Sequence, residues 1–250
     1  MIVLDLIHNI ALLVALSAAY QVLIARLRRE SLAFQALTGL LFGSVGVVGM
    51  MTPVRFSPGI IFDGRTIILS TAGLFGGPWV AAVAAAMCAA YRLWLGGGGT
   101  AVGVATILES AALGVLFHYF IRRRQNTLPI SVLWGFSLLV HILMLGLFLF
   151  LPDGAGVAVI KQLGLTMILL YPLASVLVSL FILESEIKLR DRQALQKSEA
   201  ALRKAQQVAQ LGTWSWRIDS KLVELSDELY AILGLEKAAF HGSRDEIIAL

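Results

Sequence analysis

Long apolar runs fill residues 2–183, and short polar stretches separate them. A helix that crosses a membrane needs about 20 mostly apolar residues. Five runs reach this length: 2–24, 32–52, 101–121, 129–151 and 157–183. The sixth apolar region, 60–95, is too long for one comfortable helix and is interrupted by Gly76, Gly77 and Pro78. Because Gly-Gly favours a turn and proline suits a helix start, we predict two short helices there, of about 60–75 and 78–95.

The positions of the arginines test this count of seven segments. Positive side chains favour the cytoplasmic side of a membrane. If the cluster Arg26, Arg28 and Arg29 is cytoplasmic, seven segments also place the cluster 122–124 inside, with the N-terminus and the glycine loop 96–99 outside. One long helix over 60–95 would force one cluster outside. A re-entrant hairpin over 60–95 that does not fully cross the membrane satisfies the rule as well as two crossing helices do.

The character of the chain changes after Leu183. Residues 184–210 are rich in charge and contain no glycine or proline. Leu195, Leu202 and Ala209 are seven residues apart, a spacing that favours a helix pairing with its copy in a dimer. A solvated amphipathic helix fits the spacing equally well.

The last 39 residues resemble the beginning of a soluble α/β domain. Trp214, Trp216 and Ile218 alternate with polar residues, as on a half-buried strand. We predict a turn at 219–221, a second strand at 222–225, a helix from Asp227 to Leu233 capped by Ser226, and another helix start at Ser243. So short a region cannot bury much of a core, so we expect the domain to be incomplete.

Composition agrees with one membrane region and one soluble region. The chain of 250 residues is 58% hydrophobic and 14% charged, whereas soluble domains are about 45–50% apolar and about 25% charged. The single cysteine, Cys88, excludes an internal disulfide and a thiolate metal site. The histidines His8, His118 and His141 lie on different predicted helices, so no metal and no cofactor is expected. The arginine clusters are read as topology signals and not as nucleic-acid contacts, and no catalytic constellation is evident.

Charged residues at membrane depth are the strongest functional signal, because each costs a few kcal/mol to insert. The predicted topology brings five of them to the outer half of the membrane, where they suggest a polar pocket open to the outside: Asp63, Arg65, Arg92, Glu109 and Lys161. Arginine presents a planar fork that suits a carboxylate or phosphate. The alternatives are that Arg65 pairs with Asp63 or Glu109 and that Arg92 extends to the lipid headgroups. For Asp63 and Lys161, interfacial pairing is favoured over ligand contact.

Several short motifs resemble a known receptor family. They are FDGR at 62–65, AGLFGGP at 72–78, YR at 91–92, GG at 96–97 and ILESAALG at 107–114. In this order they are similar to the LytS/YhcK-type five-transmembrane receptor domain, 5TM-5TMR_LYT, over about residues 25–185. That resemblance implies an input domain for small carboxylates such as pyruvate, with Arg65 and Arg92 as the contacts. The family usually has Asn-x-Arg where this chain has Asp63-Gly64-Arg65, and His-Arg where it has Tyr91-Arg92. A similar Gly-Pro turn occurs in the substrate-binding membrane subunits of vitamin transporters, which the predicted bundle also resembles.

The soluble tail resembles a second family. Residues 198–235 look like a linker helix and the start of a PAS domain, on the motifs GTWSW at 212–216, LSDE at 225–228 and ILGL at 232–235. Proteins with this order usually continue into a histidine kinase core or a diguanylate cyclase. Neither output motif is present in this chain, so any enzymatic activity stays undecided.

Together these observations predict an all-α polytopic membrane bundle followed by a linker helix and an incomplete α/β PAS domain. The expected divisions are 1–24 (a transmembrane helix), 25–185 (the sensor domain), 186–210 (the linker) and 211–250 (the PAS start). We expect the input region of a dimeric receptor in the bacterial inner membrane, with a cytoplasmic C-terminal region. It would bind a small anion and act through a kinase on a response regulator. A diguanylate cyclase receptor, a transporter component and a ligand-free membrane anchor are the alternatives.

Overall fold

The computed structural model describes residues 2–57, 60–122, 128–209, 211–217, 222–237, 240 and 242. The chain divides into two compact units, Met1–Ile187 and Lys188–Leu250. The elements of the first unit are α1 (Ile2–Arg26), α2 (Leu32–Met51), β1 (Val54–Ser57), β2 (Ile60–Phe62), α3 (Arg65–Thr71), α4 (Gly77–Leu95), α5 (Thr100–Phe117), α6 (Ile130–Phe148) and the start of α7 (Ala155–Val208). Short π-helical turns at Ala72–Gly76 and His118–Arg122 extend α3 and α5, and a 3-10 turn at Pro152–Gly154 precedes α7.

The first unit is a helical bundle of the kind that spans membranes. In the described part of the chain, five helical stretches are long and apolar enough to cross a bilayer: Leu32–Met51, Arg65–Leu95, Thr100–Phe120, Ile130–Phe148 and Pro152–Gln206. Leu12–Arg26 is a shorter apolar helix. The prediction of a multi-pass membrane bundle is therefore confirmed.

The stretch Arg65–Leu95 is two helices and not one. Gly77 has φ 77° and ψ −168°, a conformation that interrupts a helix and that glycine adopts readily. Arg92 lies against Gly103 of α5, whereas Gly77 lies against His118 at the far end of α5, so α4 and α5 are antiparallel. Ser70 and Leu74 meet Gly114 and His118 in that order, so α3 runs parallel to α5 and opposite to α4. The predicted reversal at Gly76-Gly77-Pro78 is confirmed, and the His118 ring nitrogen Nδ1 binds the Leu74 carbonyl oxygen at 2.9 Å beside it.

The predicted start of this hairpin is wrong. Residues 60–62 form strand β2 instead of a helix, and β2 pairs antiparallel with β1, with Val54 opposite Phe62. Helix α3 begins only at Arg65. The apolar composition of Ile60, Ile61 and Phe62 suits either a strand or a buried helix, so hydropathy alone did not separate the two.

Glycines allow the helices of the hairpin to pack closely. A β-carbon at Gly114 of α5 would lie 2.9 Å from the α-carbon of Gly73 and still closer to the carbonyl oxygen of Ser70. A β-carbon at Gly43 of α2 would lie 3.2 Å from the α-carbon of Ala84 on α4. Small residues at helix crossings bring backbones together where no hydrophobic force between helices exists in lipid.

The bundle has two distinct ends. Arg26, Arg28 and Arg29 lie where α1 turns into α2, and the helix directions place the Gly77 turn and Arg122 at the same end, here called the basic end. The opposite end carries the loop 96–99 and is here called the glycine-loop end. Arg123 and Arg124 lie outside the described residues.

A buried carboxylate stabilises the basic end. Glu186 of α7 is 2% exposed, and its Oε1 lies 2.5 Å from Arg29 Nη2. The Tyr20 hydroxyl donates to the same oxygen at 3.1 Å. Because a buried charge needs a partner and hydrogen bonds, these contacts attach the end of the first unit on α7 to α1.

The second unit has the predicted local elements. Helix α7 runs without a break to Val208, as expected for the linker. Strands β3 (Trp214–Arg217) and β4 (Leu222–Leu225) pair antiparallel, and Ser226 Oγ accepts from Leu229 N at 3.2 Å to cap α8 (Asp227–Leu233). The hydrogen bond from Lys237 to Asp227 raises the pKa of that exposed lysine.

The expected burial of the first strand is wrong. Trp214 and Trp216 are 65% and 46% exposed, so the alternating pattern does not mark a half-buried strand here. The pair β3–β4 is a small sheet on its own, because two short strands carry too little apolar surface to form a core. Ile218, the turn at 219–221 and the helix expected from Ser243 lie outside the described residues.

Candidate anion-binding site

The start of α3 places a charged pair inside the bundle. Asp63 and Arg65 are each 6% exposed. The Arg65 backbone N–H donates to Asp63 Oδ1 at 3.0 Å, and Arg65 Nη1 lies 3.4 Å from Asp63 Oδ2. Neither Nη1 nor Oδ2 has a hydrogen-bond partner among the described residues. Asp63 therefore orients Arg65 and leaves guanidinium donors of Arg65 available.

A second arginine is buried beside this pair. Arg92 of α4 is 2% exposed, and its Nη1 donates to the carbonyl oxygen of Gly96 at 2.7 Å. Gly103 of α5 leaves room for it, since a β-carbon there would lie 2.5 Å from Arg92 Nε. Arg92 therefore lies inside the bundle and does not extend along its surface to the headgroups.

The two arginines lie at a similar depth. From the reversal at Gly77, Arg65 is about 18 Å away along α3 and its π-helical turn, and Arg92 is about 22 Å away along α4, at about 1.5 Å per residue. The charges of Asp63 and Arg65 both act on Arg92. Both arginines therefore lie nearer to the glycine-loop end of the bundle than to the basic end.

Polar contacts next to Arg65 connect the start of α3 to α6 and α7. Thr66 Oγ1 lies 3.4 Å from His141 Nε2, and both residues are buried. The His141 ring lies edge-on to Tyr171, with ring centroids 5.5 Å apart. The charges of Asp63 and Arg65 also act on Tyr171. In the sequence, only the position of Thr66 directly after Arg65 pointed to this contact.

Glu109 and Lys161 lie in different surroundings. Glu109 is half-buried, its Oε2 accepts from Ser110 Oγ at 3.0 Å, and its Oε1 has no hydrogen-bond partner among the described residues. The ion pairs and hydrogen bonds described for Arg65 and Arg92 do not include Glu109. Lys161 is exposed on α7. The structure thus brings Asp63, Arg65 and Arg92 together, and it describes no such contact for the other two.

An apolar cluster lies next to the charged residues. Phe62 directly precedes Asp63, and its ring packs on Phe148 at 5.1 Å between centroids. The buried members of this cluster come from four elements and the loop after α6: Phe62, Val102, Met144, Phe148, Leu151, Val159 and Met167. Tyr171 packs against it. Because apolar walls keep the local dielectric low, they strengthen electrostatic interactions within the site.

A polytopic membrane bundle with a buried arginine pair near one end is the class of protein defined by this fold and site. The family model 5TM-5TMR_LYT, described as 5TMR of 5TMR-LYT, matches residues 17–185. The chain belongs to this family, so it is a membrane sensory domain of signalling receptors. No curated protein and no solved structure matches significantly.

Proposed function

We propose that this chain is the input region of a bacterial receptor that binds a small carboxylate between α3, α4 and α5. The observation that carries the proposal is the charge of the buried cluster. Apart from Glu186 at the basic end, the charged residues that the described chain buries almost completely are Asp63, Arg65 and Arg92. Their formal sum is one positive charge, which a monocarboxylate would neutralise.

Physical cost supports a ligand at this position. Burying charge in a low-dielectric interior is unfavourable unless the charge is paired. Asp63 carries one negative charge, whereas Arg65 and Arg92 together carry two positive charges. A carboxylate bound by both arginines would accept charge-assisted hydrogen bonds, which are about twice as strong as neutral ones. The β1–β2 hairpin is consistent with this role, because non-helical backbone at membrane depth occurs where it is covered by protein or lines a cavity.

Orientation follows from the positive-inside rule. With the basic end in the cytoplasm of a bacterial inner-membrane protein, the glycine-loop end and the site face the outside. A ligand with different affinities for two bundle arrangements would shift their populations. Helix α7 would carry this shift through a dimeric linker to the PAS domain that begins in this chain. The output domain would be a histidine kinase or, alternatively, a diguanylate cyclase outside these residues.

Binding of pyruvate to the purified protein in lipid nanodiscs, measured by calorimetry, tests the proposal. We expect Arg65→Ala and Arg92→Ala each to lower the affinity at least about tenfold, because each removes a charge-assisted contact. Lys161→Ala is the matched control, since that cation is exposed. Pyruvamide, which has no carboxylate, should not bind. Affinity that survives both arginine substitutions would exclude this site.

Two further functions give different outcomes. A substrate-binding transporter component would carry labelled pyruvate into vesicles, and such uptake would replace the receptor proposal. A ligand-free anchor would show no binding of any small carboxylate in a thermal-shift screen. The long helix α7, which continues to Val208, favours the receptor because a transporter subunit needs no such extension.

A further inference from the structure

Buried polar contacts connect the start of α3 to the middle of α7 through one face of α6. Thr66 is the residue after Arg65, and its Oγ1 lies 3.4 Å from His141 Nε2. His141 Nδ1 lies 2.7 Å from the carbonyl oxygen of Ser137, one turn earlier on α6. Ser137 Oγ in turn donates to the carbonyl oxygen of Pro172 on α7 at 3.2 Å.

The hydrogen bonds assign the proton on the imidazole. A carbonyl oxygen can only accept, so Nδ1 carries the hydrogen that binds Ser137. Nε2 of the neutral ring is then an acceptor, and the Thr66 hydroxyl is the donor. Each contact in the series therefore has a defined direction, and His141 is fully buried.

The series ends at the proline inside α7, Pro172. Pro172 has no N–H, so the carbonyl of Ile168 lacks its helical hydrogen bond. Helices bend most readily at such positions. The His141 ring also packs edge-on against Tyr171, the residue before the proline. Two different contacts from α6, one polar and one aromatic, thus fall on the same point of α7.

We propose that His141 is a positioning residue that couples the Asp63–Arg65–Arg92 site to α7 at Pro172. The inference rests on the proposed function for the identity of the ligand. A shift of the α3 start on binding changes the Thr66–His141 contact, and α6 passes this change to Tyr171 and Pro172. His141 does not contact the ligand, so its loss uncouples α7 from the site and leaves the site itself intact.

Hydrogen–deuterium exchange of residues 165–180 in nanodiscs tests the coupling, with and without pyruvate. We expect Thr66→Val, which removes only the donor, to speed ligand-free exchange by about fivefold, as loss of one buried hydrogen bond predicts. Pyruvate should slow exchange in the wild type and not in this variant, while Thr66→Ser keeps the wild-type response. His141→Phe, which retains a ring for Tyr171, should behave as Thr66→Val does. Thr38→Val is the control, because that buried hydroxyl has no hydrogen-bond partner among the described residues.

Each outcome decides one question. Unchanged exchange in both Thr66→Val and His141→Phe would overturn the coupling, whether or not pyruvate binds. Loss of pyruvate affinity in Thr66→Val would overturn it too, since Thr66 would then be a ligand contact. Failure of pyruvate to bind the wild type would count against the proposed function. The coupling would still be tested by comparing ligand-free exchange of residues 165–180 in the variants and the wild type.

Discussion

Replacement of Gly114 by alanine tests the close packing that positions α3. The new β-carbon would lie 2.9 Å from the α-carbon of Gly73 and 3.1 Å from the backbone nitrogen of Leu74. Its nearest neighbour would be the carbonyl oxygen of Ser70, at a separation that real β-carbons do not show. All three neighbours are backbone atoms, so no change of side-chain rotamer can relieve the overlap, and α3 must move away from α5.

The expected cost is about 1–3 kcal/mol, as for other overpacked cores. Thermal unfolding of the purified protein in nanodiscs measures it as a lower midpoint temperature. Gly146→Ala on α6 is the matched control, because a β-carbon there meets no atom within 4 Å and alanine favours a helix. Displacement of α3 also moves Arg65, so pyruvate affinity should fall together with stability. A Gly114→Ala protein as stable as the wild type would refute the close approach of α3 to α5.

Three further substitutions test other contacts. Gly103→Ala should leave the fold intact but displace the flexible Arg92 side chain, lowering pyruvate affinity about tenfold by calorimetry; unchanged affinity would contradict the placement of that arginine. Glu186→Ala should lower the free energy of unfolding by about 1–3 kcal/mol, because the Tyr20 hydroxyl loses its buried acceptor. The lost ion pair adds little to this cost, since Arg29 is partly exposed. Denaturant titration would detect the change, and equal midpoints would contradict it. Ser226→Ala should weaken α8 by about 0.5–2 kcal/mol through loss of the cap, seen as faster amide exchange at Leu229, and a rate equal to the wild type would contradict the cap.

The helical spans were predictable because lipid imposes a strong constraint on sequence. About 20 apolar residues are required to cross, and the runs that satisfy this became α1, α2, α5, α6 and α7. The reversal at Gly77 was also predictable, since Gly-Gly-Pro combines a permissive turn with a residue that begins a helix. The strand β2 was not, because a short apolar run carries no period that separates a strand from a buried helix.

The candidate site was predictable only in part. Arg65 and Arg92 are rare charges in apolar surroundings, so composition alone directed attention to them. Their burial in the same bundle as Asp63 depends on the packing of α3 and α4, which run antiparallel. Glu109 has the same local signal as the arginines, yet its described hydrogen bond is with Ser110.

By itself the sequence determined where the chain enters and leaves an apolar environment and which charges are costly there, because these depend on residue type and spacing. Only the tertiary structure decided that Thr66, His141 and Tyr171 meet beside the arginines. His141 lies 75 residues from Thr66, and no local pattern encodes a contact between helices so far apart in the chain. That contact depends on the directions of α3, α6 and α7 and on the glycines that let helices approach. These are properties of helix packing and not of local helix propensity.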